Sequence, residues 1–291
     1  MEKEITEPIT LLEFLKLQFP QTTNNKLRKM LSEGRVKIND SVVFKAKLPL
    51  ELNDKFELLD RNNKTLQTDK PLKELKKSSI EIIYEDEDLL VVEKPAKLLS
   101  VATDKLEQKT LHGKCVDYLK QQDIKSWCYI VHRLDKETSG IMLLSKNKQS
   151  KDYLQEQFSQ RQVYRIYHAM VEGQPLEQSG TVKQHLMEDK HLNIRVVNSK
   201  HKDGKLAITH WEVIQQNEEA SLIRVMIETG RRHQIRMAMK ELGCPIIGDK
   251  LHEAETNPFG RICLHATSLE FLHPTTDEPV RFESQPPFAK I

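Results

Sequence analysis

The chain has 291 residues, 38% hydrophobic and 30% charged, with a formal net charge of +2, enough apolar material for a large packed core under a well-solvated surface. No stretch approaches the roughly 18 uninterrupted apolar residues that cross a bilayer, and Met1-Glu2-Lys3-Glu4 has neither the basic start nor the apolar core of a secretory signal, so the expected location is the cytoplasm and no membrane partner is expected. Cys115, Cys128, Cys244 and Cys263 form no C-x-x-C pair. They read as reduced thiols in or near the core, with neither zinc-ligand spacing nor a disulfide framework.

The charge is unevenly placed. Residues 1–78 carry 16 Lys and Arg against 12 Asp and Glu, and the remainder 29 against 31. Within 23–47 the count is 7 against 2. A small basic module therefore precedes a near-neutral larger one.

In chain order, Leu11, Leu12, Phe14, Leu15 and Leu17 predict a short amphipathic helix over 10–19. Leu27, Met30 and Leu31, at i, i+3 and i+4, predict a second helix, with Gly34 as its stop. Residues Val36 to Val43 alternate as a strand, turn at Asn39-Asp40 and resume. The result is a helix–helix–hairpin domain over 1–60. Residues 61–78 are polar, with little apolar periodicity, and read as a linker. A second domain fills 79–291. There Ile80 to Tyr84, Leu89 to Val92, Ile141 to Leu144, Ile166 to Val171 and Leu222 to Ile227 predict strands. Leu111, Cys115, Val116 and Leu119 predict one helix face, Tyr153, Leu154 and Phe158 another, and a further helix is expected from about Arg232 to Leu242. The mixture is α+β, with strands too irregular for simple βαβ units.

Three segments carry titratable groups where chemistry would need them. Val131-His132-Arg133-Leu134-Asp135-Lys136-Glu137-Thr138-Ser139-Gly140 lies between two apolar strands, and catalytic groups favour loops on rigid scaffolds. On composition alone a solvated turn is the simpler reading. Thr229-Gly230-Arg231-Arg232-His233-Gln234-Ile235-Arg236 opens a helix with cations, which the macrodipole disfavours by roughly 0.3–1 kcal/mol each. A nearby phosphate or carboxylate would offset this, and a solvated basic helix start serves equally. Tyr167 sits on an alternating strand, where tyrosine is usually core.

The line H-R-L-D-K-E-T-S-G-I resembles the signature of the RluA-type pseudouridine synthases, and it does not stand alone. Ile82 to Ala96 resembles the opening strand pair of that family. Arg165-Ile166-Tyr167-His168-Ala169-Met170-Val171-Glu172-Gly173 resembles its K-x-Y-x-A-x-V-x-G segment, and Lys205 to Thr209 its K-x-A-x-T segment. T-G-R-R-H-Q-I-R with Gly243 to Asp249, then Leu264-His265-Ala266 with His273-Pro274, complete the order over about residues 80–288. Lys97 stands where the family usually has Gly, His252 where a Tyr is common, and Arg165 where Lys is usual. The N-terminal unit is similar, over a shorter match, to the alpha-L RNA-binding domain of the ribosomal protein S-four type.

The resemblance implies a pseudouridine synthase fold, with a mixed, mainly antiparallel central sheet, flanking helices and the small α+β N-terminal domain. It implies an isomerase acting on uridine in structured RNA, ribosomal RNA of the large subunit foremost, as a monomer. Asp135 matches the catalytic carboxylate, acting on the ribose as nucleophile or as base. Arg236 matches the arginine expected to pair with it and offset the effect of burial. Tyr167 matches the tyrosine expected against the uracil, and Ile235 an apolar wall. Arg133 is expected in the RNA, filling the space left by the flipped base. RNA contacts are also expected at His132, for which a packed structural role is equally open, and at Lys26, Arg28, Lys29, Arg35, Arg231 and Arg232. The reaction conserves atoms, so no cofactor and no metal is expected. The rival readings are a transfer RNA synthase, a catalytically idle RNA-binding protein, and a metal-dependent nuclease using His132 and Asp135.

Overall fold

In a computed structural model, residues 80–103 and 109–288 are described throughout, together with 2–4, 9–20, 22, 27, 30–31, 35–39, 41–43, 46 and 48–59. The chain divides into two units, Met1–Lys73 and Glu74–Ile291. The stretch read as a linker, 61–78, lies outside the described residues, as do Lys26, Arg28 and Lys29.

In the first unit, β1 (Glu2–Glu4), β6 (Lys55–Leu58), β3 (Val36–Ile38) and β4 (Ser41–Val42) form one sheet in that order, and β2 (Ile9–Thr10) pairs with β5 (Pro49–Leu50). Helix α1 spans Leu11–Gln18. Glu13 closes its first turn by accepting from the Thr10 N–H at 3.2 Å. Leu27, Met30 and Leu31 are helical. Asn39 takes the expected turn with φ of 48°, and its side chain ties the turn to Lys55 N–H at 2.9 Å. Leu11, Phe14, Leu15, Leu27, Leu31, Val36, Ile38, Leu50 and Phe56 make a core of their own.

The second unit is built on an eleven-stranded sheet. Its main order is β13 (Ile194–Val197), β12 (Ser179–Glu188), β14 (Lys205–Gln216), β15 (Ala220–Ile227), β11 (Tyr164–Glu172), β16 (Leu264–Leu272), β10 (Ser139–Ser145), β8 (Leu89–Lys94) and β7 (Glu81–Glu85). Strand β17 (Pro279–Glu283) pairs with β16, and β9 (Tyr129–Ile130) with β10. Among the described strands only β10 and β16 run parallel. The sheet is therefore mixed and mainly antiparallel, as expected.

Both faces of its middle are covered, which explains the continuous apolar runs. Along β8 and β10, Leu90, Val92, Met142 and Leu144 join the core that contains α2 (Leu111–Gln122) and α4 (Gln234–Glu241). The alternate residues Leu89, Val91, Ile141 and Leu143 face Leu154 of α3 (Lys148–Ser159). Helix α2 buries Leu111, Cys115, Val116 and Leu119, the four positions that predicted it. All four cysteines are buried with free thiols.

Two backbone features set up the site. Gly140 faces Ala266 across the parallel pair with φ of 112°, and a Cβ there would meet the Ala266 carbonyl oxygen at 2.2 Å. A register shift between Ile166 and Tyr167 breaks the β11–β16 ladder and leaves Thr267 of β16 unpaired, a bulge that re-aims side chains on β16 while β11 stays in register with β15.

Candidate active site

Asp135 lies in the loop between β9 and β10, and the backbone on either side of it is clamped. Ser100 Oγ donates to the Leu134 carbonyl at 2.6 Å and accepts from its N–H at 3.1 Å. Lys94, fully buried, donates to the Lys136 carbonyl at 3.1 Å and the Pro95 carbonyl at 2.9 Å. Thr138 N–H returns to the Asp135 carbonyl at 3.1 Å. Ser139 Oγ then accepts from Arg261 Nη2 at 2.6 Å and meets His265 Nδ1 at 2.7 Å. Apart from the Thr138 bond within the loop, the anchors involve side chains from elsewhere in the fold, so the carboxylate position is set by the scaffold.

Burial pushes the Asp135 carboxyl above the usual carboxylate range. Arg236, Arg232 and Lys94, and the backbone N–H of His233, act against that. Desolvating a carboxylate favours its neutral form, and nearby cations restore the charge. The same burial lowers Lys94 to about 8, with Asp135 and Glu137 opposing it.

The loop before α4 is held by one amide. Gln234 donates to the Ile208 carbonyl at 2.9 Å and Thr209 Oγ1 at 3.1 Å, and accepts from Thr229 Oγ1 at 2.7 Å and Arg231 N–H at 3.0 Å. All four of its hydrogen-bonding capacities are used. His233, immediately before the helix, is left-handed with φ of 54°, a conformation that histidine tolerates better than most residues. Its ring Nδ1 bonds to His252 Nε2 at 3.0 Å.

Tyr167 is buried, and burial, with Asp135 adding to it and Arg165 opposing, raises its phenol. Asp135, Tyr167, Arg236 and Ile235 line one cleft of about 1320 Å³, together with Arg133, Arg231, Arg232 and His132. Among the described residues no three His, Cys, Asp or Glu side chains are grouped to hold a metal ion.

The sequence model described as RNA pseudouridylate synthase matches residues 88–241. The chain belongs to that family. A ribosomal large subunit pseudouridine synthase C of Rickettsia prowazekii is 32% identical over 300 residues, covering 99% of this chain and 97% of that one. An RNA pseudouridine synthase of Chlorobaculum parvum is 33% identical, covering 98% and 92%. Among solved structures, Human RNA Pseudouridylate Synthase Domain Containing 4 superposes with a TM-score of 0.61 over 72% of this chain and 89% of that one, at 24% identity, and shares the fold. The relatives place the chain in the RluA-type branch and make it an isomerase.

Against the pattern of this synthase family, several expectations need correction. Asp135 and Arg236 do not form the expected salt bridge. Arg236 instead donates from Nε and Nη2 to Asp249, each at 2.6 Å. A fork that matches one carboxylate this well is not free for a second. Helix α4 begins at Gln234 rather than Arg232, so Arg231 and Arg232 precede it. Their charges are met by the Leu206 carbonyl, 3.2 Å from Arg231 Nε, and by the Glu188 carboxylate, which pairs with Arg232. His132 is a packed histidine. Its Nε2 accepts from Leu143 N–H at 3.0 Å, its ring stacks on Phe158 at 5.0 Å, and burial, aided by Arg165, lowers it to about 3. Of the two readings open for His132 this geometry fits the packed one, with Nε2 committed as an acceptor and Nδ1 left as the ring's donor.

Arg133 is exposed at the cleft. In the first unit, Arg35 Nε donates to the Leu59 carbonyl at 3.2 Å. The sequence reading did not single out Lys94, Ser100, Gln234 or Asp249. Lys94, Gln234 and Asp249 stood inside quoted motifs, with no sequence pattern that separated them from their neighbours.

Proposed function

We propose that this protein isomerises chosen uridines of large-subunit ribosomal RNA, with Asp135, Tyr167 and Arg236 as its working groups. The reading is supported foremost by one observation. A loop, a strand and a helix whose residues are 32 and 69 positions apart in sequence each present a side chain to the same cleft. The relatives named as large-subunit synthases span nearly the whole chain, and this favours the same RNA here.

In the reaction the uracil leaves the anomeric carbon as its C–N bond breaks, turns, and returns through carbon 5. Asp135 acts on the ribose. It must be ionised in a cleft that desolvates it, and three cations and a backbone N–H supply the opposing field. Tyr167 packs on the base and assists loss of the carbon 5 proton. Arg133 enters the stack that the flipped nucleotide vacates. The first unit, with Arg35, Lys26, Arg28 and Lys29, contributes phosphate contacts. The protein acts in the cytoplasm as a monomer.

Mapping pseudouridine in ribosomal RNA from cells with and without the protein tests the assignment. Sites lost from large-subunit RNA and regained with the wild-type protein are expected. Loss confined to transfer RNA would reassign the substrate.

A further inference from the structure

Arg165 precedes Tyr167 by two positions on β11, so the two side chains share a strand face, and both line the cleft. Arg165 is only 9% exposed. Three other arginines of the cleft have counter-charges: Arg236 has Asp249, Arg232 has Glu188 and Arg161 has Glu228; Arg133 is exposed, and Arg231 and Arg261 bond to neutral oxygens. Among the described residues no carboxylate lies within ion-pair reach of Arg165. The nearby Glu228 carboxylate is engaged by Arg161 and His210 instead.

The hydrogen bonds of Arg165 are also incomplete. Nη2 donates to the Glu228 carbonyl at 3.1 Å and the Ile227 carbonyl at 3.5 Å. Nε is buried without a partner. Nη1 has no bond among the described residues, and a Cβ on Gly230 would stand 3.0 Å from it. Phe158 covers the guanidinium at 5.5 Å. A guanidinium taken from water without a counter-charge destabilises a fold, and arginine cannot escape by losing its proton. A site of this kind is complete only when an anion is bound.

We propose that Arg165 is an anion site of the cleft that binds a phosphodiester oxygen of the RNA chain, with Gly230 leaving Nη1 open to it. This rests on the reading that RNA substrate occupies the cleft. Phosphate suits the planar fork of arginine. The low-dielectric wall strengthens the contact. Lysine, usual at this position in the family, would supply the charge without the fork.

The test compares wild type, Arg165→Met, Arg165→Lys and Gly230→Ala in binding a large-subunit ribosomal RNA transcript across a salt series. Arg165→Met should lose roughly tenfold to a hundredfold in affinity, and its dependence of log K on log salt should flatten by about 0.7–0.9. Arg165→Lys should keep the slope. Gly230→Ala, which crowds Nη1 with the charge retained, should flatten it as Arg165→Met does. Arg165→Met should also melt higher than wild type, because an uncompensated charge has left the interior, and inorganic phosphate should raise the melting temperature of wild type but not of that variant. Wild-type slopes in both Arg165→Met and Gly230→Ala would overturn the site. So would an Arg165→Met that melts lower with its slope unchanged, since the guanidinium would then be a structural clamp. Pseudouridine formation by wild type on the same transcript is the control. Its absence would fault the substrate reading, whereas turnover with unchanged slopes would fault only the phosphate site.

Discussion

Arg236 and Asp249 form a two-pronged ion pair, Nε to Oδ2 and Nη2 to Oδ1, each 2.6 Å long, with side chains 5% and 1% exposed. The pair holds the guanidinium close enough to lower the Asp135 carboxyl without occupying the oxygens of that carboxylate. Asp249 thus takes the fork, and Asp135 keeps its lone pairs for substrate. Asp249→Asn leaves a buried charge without a partner, and breaking such a pair costs about 3–5 kcal/mol. Urea unfolding should show a loss of that size. A loss under about 1 kcal/mol would mean that the pair is not a structural anchor.

Asp135→Asn should abolish isomerisation while fold and RNA affinity stay nearly intact, because shape is kept and the charge is lost. Pseudouridine formation within tenfold of wild type would defeat the assignment. Stability should move the other way. The folded carboxyl titrates above its unfolded value, so folding favours the protonated form, and stability falls as pH rises from the unfolded value through the folded one. The Asn variant lacks that loss and should equal or exceed wild type at neutral pH. In the rate profile, the acid limb should lie above the ordinary aspartate range. Arg232→Gln should move it further up, since that cation opposes the burial effect.

Lys94 gives a prediction of opposite sign. Burial lowers it from 10.5 to about 8, so between those values the unfolded chain holds a proton that the folded one has released. Its contribution to stability therefore rises with pH across that window, by roughly 3 kcal/mol in total. Tyrosine and cysteine groups raised by burial, such as Tyr167 and Cys115, act oppositely, so the measurement is a difference. From pH 8 to 10.5, the stability of wild type relative to Lys94→Met should climb by that amount. A constant difference would show that Lys94 keeps its proton in the folded protein across that window, unshifted by burial.

The buried strands β8 and β10 were legible because apolar residues filled both faces, and α2 because its spacing matched one helical face. Strands β12, β13 and β14 were not read as strands. Few residues of β12 and β13 are buried, and a small separate core joins Leu186 and Ala207 to Met237, while β14 buries the consecutive residues Ala207, Ile208 and Thr209 and reaches the main core through Trp211, so clean sequence alternation is missing where the sheet runs into solvent. Strand β16 hides differently: it is buried on both faces, and Ser, Thr and His interrupt its apolar run. Asp135, Tyr167 and Arg236 were found through ordered motifs. The Asp249 partnership was not, because two residues 13 apart, on α4 and in the loop beyond it, meet only in the fold. Lys97, where the family usually has Gly, keeps a left-handed φ of 67°, so the departure changes the side chain and leaves the turn.

Gly140 tests how closely the catalytic loop depends on the sheet beneath it. It follows Asp135 by five residues and has φ of 112°, and an added Cβ would meet the Ala266 carbonyl oxygen at 2.2 Å and its nitrogen at 2.5 Å. Neither atom can move without separating β10 from β16, the parallel contact that carries Ser139 against His265. Gly173 and Gly243 are also left-handed, with φ of 68° and 70°, but a Cβ on either meets nothing within 4 Å. Gly173→Ala and Gly243→Ala should therefore lose only the conformational cost of about 1–2 kcal/mol. Gly140→Ala adds a backbone collision to that cost and should lose more than about 4 kcal/mol, with pseudouridine formation falling further than in the other two variants at a temperature where all three remain folded. Equal losses across the three, measured by chemical unfolding, would mean that the sheet can open at Gly140 and that the position of Asp135 does not depend on this contact.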